Sequence, residues 1–173
     1  PGTGSNDVTV VAARDGSMLV GTFDRGAWWD GSALSLGNAE INDAFIDAAG
    51  VAWLATSGGL AKVEGDGAVR TYGALHGLDS EHVTAVRGGQ GGLYVGTSAG
   101  VQRFEGGGFA PQLGGSNADR VSHVYCLALD GEEVFAGTLD GLWSLRRGGG
   151  TLFRYETGEL PDNWINGLAV GPD

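Results

Sequence analysis

Short apolar runs separated by turn-forming residues recur along this chain, and within them apolar and polar side chains alternate with the two-residue period of β-strands. The strongest run of each unit ends at a threonine: Thr22, Thr56, Thr97 and Thr138. Successive threonines are 34, 41 and 41 residues apart. Seven positions after each threonine comes a large apolar residue: Trp29, Val63, Phe104 and Leu145. The pattern therefore indicates an internal repeat of about forty residues.

Each repeat has the pattern of a four-stranded antiparallel meander. A second alternating run precedes the threonine run, and Asp-Gly or Gly-Gly between the two runs is typical of a hairpin turn, whose central residues take positive φ. A short turn after the threonine leads to a third strand, and another turn leads to a fourth. No segment keeps a 3.6-residue apolar period between helix caps, so we expect almost no helix.

Four-stranded units of this length are the sequence signature of β-propeller blades. We therefore predict an all-β fold, one β-propeller over residues 1–173 with blades at 8–36, 41–73, 83–113 and 124–156. A further apolar run predicts an extra first strand over 164–170, without a second strand to pair with. Three assemblies remain open: part of a larger propeller, closure through another copy in a homo-oligomer, and a closed four-blade monomer.

Composition narrows the classes of partner. Glycine accounts for 34 of 173 residues, which suits a fold built of tight turns. The net charge of −11 repels phosphate backbones and argues against nucleic acid as a partner. No apolar run approaches the length of a membrane span, and the first residues lack the pattern of a signal peptide. The single cysteine, Cys126, lies in an apolar run and is expected to be a buried thiol of a strand.

The second repeat carries a family resemblance. Its characteristic positions are Ile41, Asn42, Asp47, Gly50, Trp53, Thr56, Gly59 and Leu60. In this spacing they resemble the two-component regulator propeller repeat, and the connections HGLDSEHV and GELPDNWI are similar to that family's linkers. The resemblance implies a bacterial propeller outside the cytoplasm, periplasmic or extracellular, that senses or binds a ligand. It implies neither an enzymatic activity nor a cofactor or metal.

One face of the propeller is expected to carry the site. In this fold the connections between blades and the turns from second to third strands meet around the mouth of the channel. Candidate ligand-binding residues on that face are Asp24, Arg25, Asn42, His76, Asp79, Glu81, His82, Asp119, Arg120, Asp140, Asp162, Asn163 and Trp164. The second residues of the first strands are expected to form a polar ring that mainly satisfies backbone groups: Thr9, Asn42, Thr84, Tyr125 and Asn166.

Three functions remain open from the sequence. An exposed Trp164 at the channel mouth would stack on a sugar ring, so a small molecule or oligosaccharide is one class of ligand. A structural propeller segment would instead bind a protein partner through its open edge or a broad face. An enzyme similar to streptogramin lyase, using His76, His82 or His123, is the third, and it requires a histidine within reach of a substrate proton. The cluster HGLDSEH is expected to be a solvated linker rather than a metal site.

Overall fold

The described residues of a computed structural model are 5–37, 39–110, 113, 121, 123–146 and 149–171. They form four antiparallel sheets, each of four strands in sequential order. The remaining regular structure within them is two single 3-10 turns, at Ala74–His76 and Tyr155–Thr157. The predicted all-β propeller fold is therefore confirmed.

The strands follow one another as meanders from the inside of each blade to its outside. Blade one contains β1 (Val8–Arg14), β2 (Ser17–Thr22), β3 (Ala27–Trp29) and β4 (Ser32–Ala33). Blade two contains β5 (Ile41–Ile46), β6 (Ala52–Thr56), β7 (Gly59–Val63) and β8 (Val69–Tyr72). Blade three contains β9 (Val83–Gly89), β10 (Gly92–Thr97), β11 (Gly100–Glu105) and β12 (Gly108–Phe109). Blade four contains β13 (Val124–Asp130), β14 (Glu133–Thr138), β15 (Leu142–Arg146) and β16 (Gly149–Phe153).

The repeated threonine locks the turn between the second and third strands. In blade two the buried Thr56 hydroxyl donates to the Gly59 carbonyl at 2.8 Å and accepts the Gly58 N–H at 3.1 Å. The threonines of the other blades make the equivalent pair of bonds: Thr22, Thr97 and Thr138. A valine of the same shape would remove both hydroxyl hydrogen bonds from the turn, which explains why the hydroxyl recurs.

Apolar side chains pack between neighbouring blades. Separate buried clusters join blade one to two, two to three and three to four, around residues such as Leu54, Val86 and Leu127. Because both faces of each inner sheet are covered, the threonine strand of blade two is buried along its whole length. Each blade is thus stabilised by the next one along the chain.

The inner strands approach one another closely because a small residue lies opposite each. A side chain added at Gly96 would overlap Val124 of the next inner strand, and one at Gly21 would meet Ile41. Blade two has Ala55, which is fully buried, at the equivalent position. Close approach of the blades therefore requires Gly or Ala at this site.

Each inner strand also has a β-bulge at its second residue, and in blades one to three that residue ties the strand to the next blade. The register shifts across Thr9, Asn42, Thr84 and Tyr125. Thr9 Oγ1 donates to the Ile41 carbonyl. Asn42 Nδ2 donates to the Val83 carbonyl at 2.8 Å, and Thr84 Oγ1 to the Val124 carbonyl at 2.6 Å. These three side chains of the predicted polar ring do satisfy backbone carbonyls.

The four blades form a series in which the first inner strand has an open side. Close packing joins β1 to β5, β5 to β9 and β9 to β13. Among the described residues, blades one and four have no comparable packing. Val8 and Val11 of β1 are 49% and 57% exposed. The side of β1 that faces away from blade two is therefore an exposed apolar edge of the series of blades.

The segment after blade four takes the position of a fifth inner strand. Ile165 N–H donates to the Thr138 carbonyl at 3.0 Å, and a Cβ on Gly137 would lie 2.7 Å from the Ile165 side chain. Ile165 thus occupies beside blade four the place that Ile41 occupies beside blade one. Residues 164–170 nevertheless are not a strand, which differs from the prediction, because no second strand among the described residues pairs with them.

Candidate functional site

We define the channel-mouth face by the turns at 23–26, 57–58, 98–99 and 139–140 and the connections at 73–82 and 157–164. Hydrogen bonds join the turn at 98–99 to the connection at 73–82 and to the start of blade four. The His123 N–H donates to the Ser98 carbonyl at 3.1 Å, and the hydroxyls of Ser80 and Ser98 are 3.1 Å apart. Inter-blade connections and second-to-third-strand turns therefore adjoin on this face.

The acidic turn residues of blades one and four, Asp24 and Asp140, are exposed. Asp24 accepts the Ser5 hydroxyl at 2.6 Å and pairs with Arg25 at 3.6 Å, both in largely exposed positions. The backbone N–H of Asp140 donates to the Thr138 hydroxyl. Exposed pairs of this kind contribute little to stability, so these side chains are accessible but not preorganised.

The HGLDSEH segment folds as a linker around a single 3-10 turn. His76 Nδ1 accepts the Gly73 N–H at 3.1 Å, and its ring meets Tyr72 edge-on at 5.2 Å. Glu81 accepts the Ala74 N–H at 3.4 Å, whereas the His82 side chain is exposed. The Nδ1 atom of His76 is thus engaged by the backbone of its own linker. No group of three or more His, Cys, Asp or Glu side chains within the described ranges is arranged to hold a metal ion.

The linker is held by a buried glutamine that the sequence analysis did not single out. Gln102, 2% exposed, accepts the Asp79 N–H at 2.9 Å and donates to the carbonyls of Gly77 and Ala110 at 3.0 and 3.1 Å. Full pairing of its amide makes it a rigid support for the connection between blades two and three. In the sequence, Gln102 is one residue of a strand that begins at Gly100, and nothing in the pattern there predicts a buried glutamine that supports the linker.

An exposed aromatic pair lies beside the inner strand of blade four. The rings of Tyr125 and Trp164 have centroids 6.3 Å apart at 55°, and their side chains are 40% and 59% exposed. Asp162 accepts the Trp164 N–H at 2.9 Å. The following residue, Ile165, is tied to Thr138, whose neighbour Leu139 is itself 42% exposed. The channel-mouth face thus carries an apolar platform next to acidic turns.

The other predicted site residues are placed as follows. Asn163 donates to the Glu156 carboxylate at 2.8 and 3.0 Å, which lowers the pKa of Glu156. Asn42 acts in the bond to Val83 already described and is partly buried. Asp119 and Arg120 lie outside the described residues.

Within the channel, an ion pair joins blades two and three. Asp43 accepts the Val86 N–H at 2.9 Å and pairs with the Arg87 guanidinium. Burial raises the pKa of Asp43, and the Arg87 charge opposes that rise. Burial likewise raises the pKa of the Cys126 thiol in β13, which suits an inert thiol rather than a nucleophile.

An opening lies on the face opposite the channel mouth, between the first hairpins of blades three and four. It has a volume of about 730 Å³. Polar side chains border it: Gln90, Tyr94, Arg103, Asp130, Glu132 and Glu133. The buried Arg103 Nε has no hydrogen-bond partner among the described residues. Hairpin turns gave no sequence signal of a site, because Gly-rich turns serve the strand connection equally well.

Solved structures of similar fold come from bacterial extracellular domains and from design. The extracellular domain of the hybrid two-component system BT3049 of B. thetaiotaomicron matches with a TM-score of 0.68 and 17% identity, over 90% of this chain and 25% of that one. The extracellular domain of the one-component system BT4673 of the same organism matches at 0.63 and 19% identity, over 82% of this chain and 21% of that one. The computationally designed Ika8 protein matches at 0.63 and 18% identity, over 85% of this chain and 48% of that one.

At these identities the likeness establishes the propeller fold. This chain spans about a quarter of the length of the BT3049 domain and about half of the designed protein. No family model matches the sequence. No curated protein matches it. Among the described residues, no helix is long and apolar enough to cross a membrane.

Proposed function

We propose that this chain is a non-enzymatic sensing propeller of the two-component regulator propeller type, acting outside the bacterial cytoplasm and binding an oligosaccharide at its channel-mouth face. The fold it shares with extracellular domains of bacterial one- and two-component systems supports the sensing role. The linkers and the blade-two motif that resemble this repeat family support the same assignment.

The observation that carries the ligand class is the exposed pair of Tyr125 and Trp164. Aromatic faces attract the apolar face of a sugar ring, and nearby polar groups fix the orientation of its hydroxyls. Asp162 supplies an acceptor beside this platform, since its carboxylate binds the Trp164 backbone N–H. Asp140 directly follows Leu139 in the turn to which Ile165 is tied. We assign the remaining predicted polar residues of this face to the surroundings of the platform.

Calorimetric titration with gluco-, manno-, xylo- and arabino-oligosaccharides tests the proposal. We expect one of these to bind, and Trp164→Ala to weaken that binding by about five-fold or more, as loss of a stacked ring costs about 1 kcal/mol or more. Tyr125→Ala should weaken it less. Phe23→Ala is the matched control, because Phe23 is an exposed aromatic residue in the turn after Thr22 of blade one. Binding unchanged in Trp164→Ala, or absent for all four sugars, contradicts the proposal.

A second candidate function, assembly through the open edges, is favoured by the docked segment 164–171 and by the exposed valines of β1. Light scattering over a range of concentrations tests it. Association that is lost in Ile165→Asp and retained in Phe23→Ala supports assembly through this segment. A monomer at all concentrations contradicts self-assembly.

A further inference from the structure

On the face opposite the channel mouth, a second hollow lies among blades one, two and three. Its volume is about 500 Å³, within the range of small-molecule sites. Turn β5–β6 and hairpin β9–β10 supply most of its lining, and Arg14 at the end of β1 borders it. It is therefore distinct from the platform of Tyr125 and Trp164.

The hollow exists because blade three has glycine where other blades have side chains. In the hairpin of blade three Gly89 pairs with Gly92, whereas the equivalent pairs are Asp130 with Glu133 in blade four and Arg14 with Ser17 in blade one. The neighbouring Gly88 leaves room for the Phe45 ring, which a Cβ at that position would overlap. Backbone rather than side chains thus forms this side of the hollow.

The walls of the hollow are apolar and held in place. Phe45, Trp53 and Leu93 line it. Trp53 Nε1 donates to Asp47 at 3.1 Å, and its ring packs edge-on against Phe104 at 5.3 Å. The ring is therefore fixed before any ligand arrives, which lowers the entropic cost of binding.

The acid that borders the hollow is engaged by three N–H donors, whereas the base is paired only at the surface. Asp47 is the acid in its lining, and its oxygens accept the N–H groups of Ala49, Val51 and Trp53 at 2.9, 3.0 and 3.1 Å. Arg14 is the base in the lining. It pairs with Asp15 at 3.4 Å, but the Asp15 side chain is 89% exposed, so solvent screens this ion pair.

We propose that this hollow binds a small aromatic carboxylate, with its ring between Phe45, Trp53 and Leu93 and its carboxylate at Arg14. Offset or edge-on contact with two aromatic rings favours an aromatic ligand over an aliphatic one. The guanidinium provides paired N–H donors that match the geometry of a carboxylate. This is a second site, independent of the sugar platform.

Titration calorimetry with trans-cinnamate, and with cinnamyl alcohol as its uncharged analogue, tests this proposal. Arg14→Gln should weaken the binding of cinnamate by about three- to five-fold, the effect of one exposed ion pair, and leave that of cinnamyl alcohol unchanged. Ala49→Trp should abolish the binding of both by filling the hollow. Ala68→Trp is its matched control, because both alanines donate their N–H to an aspartate two residues earlier in an exposed turn.

Binding lost in Ala49→Trp and retained in Ala68→Trp and Trp164→Ala supports the site. Three results overturn it: no heat with cinnamate at millimolar concentration, equal binding by Ala49→Trp and wild type, or equal weakening of both compounds by Arg14→Gln. Since Trp164→Ala removes the sugar platform, this result is separable from a failure of the oligosaccharide proposal.

Discussion

At the scale of single residues, the repeat is defined by side chains that make the same contacts in every blade. The turn threonines and the small residues opposite the inner strands recur because each blade presents the same buried carbonyls and the same close contact. These positions are sensitive to changes that keep size but remove a hydrogen bond, or that add one methyl group.

Thr97→Val should lower the free energy of unfolding by about 1–3 kcal/mol, because the Ala99 N–H and the Gly100 carbonyl lose their hydroxyl partner in a buried turn. Urea denaturation measures the loss. Thr71→Val on the exposed side of β8 is the control and should change stability little. Equal stability of the two variants would contradict the role of the hydroxyl.

Gly96→Ala should destabilise the protein by about 1–3 kcal/mol, because the new methyl group overlaps Val124 and forces blades three and four apart. Thermal unfolding measures the effect. Gly149→Ala in the outermost strand of blade four is the control, since nothing lies within 4 Å of a Cβ there. The close-approach argument fails if the Gly96 variant unfolds at the wild-type temperature.

At the scale of the elements, inter-blade contacts decide how the strands fit together. Asp43 of β5 binds the backbone of β9 and pairs with Arg87, with its carboxylate largely buried. Burial raises the pKa of Asp43 by more than the Arg87 charge lowers it, so in the folded state this pKa lies above its ordinary value. Folding then binds protons in that pH window, so stability falls as pH rises through it.

Asp43→Asn should therefore gain stability relative to wild type as pH rises from the ordinary aspartate pKa of 3.8 upward. Below that value both proteins carry an uncharged group, and above the raised pKa only wild type carries the buried charge. Urea denaturation of both proteins at a series of pH values measures the difference. A difference that stays constant across this window would contradict the raised pKa of Asp43.

The elements were largely predictable because alternation and turn chemistry are local. The run before Thr56 and the Asp47 turn that precedes it have enough β signal within a few residues to place two strands and their hairpin. The contacts of Asp43 with Arg87 and of Gln102 with Asp79 were not predictable, because they depend on the register between separate segments. The order of strands and turns was enough to assign the predicted loop residues to one face. The hydrogen bonds between those loops could not be foreseen, because they too depend on the register between separate segments.

At the scale of the whole molecule, the two faces of the propeller differ. The channel-mouth face carries Tyr125 and Trp164, and the opposite face carries the hollows at the first hairpins. The sequence placed Trp164 at the start of an inner strand and left its exposure open, and its side chain is 59% exposed. It gave no sign of the hollows, because they arise where side chains are missing from paired positions.

The central claim, that sugar binds at the channel mouth, is tested most directly by the indole N–H signals of the five tryptophans in a proton–nitrogen correlation spectrum. The Trp164 signal is assigned by its loss in Trp164→Phe. On saturation with the oligosaccharide that binds, this signal is predicted to shift most, because its ring would contact the sugar. A Trp164 signal that stays in place while that of Trp53 or another tryptophan moves would contradict the account.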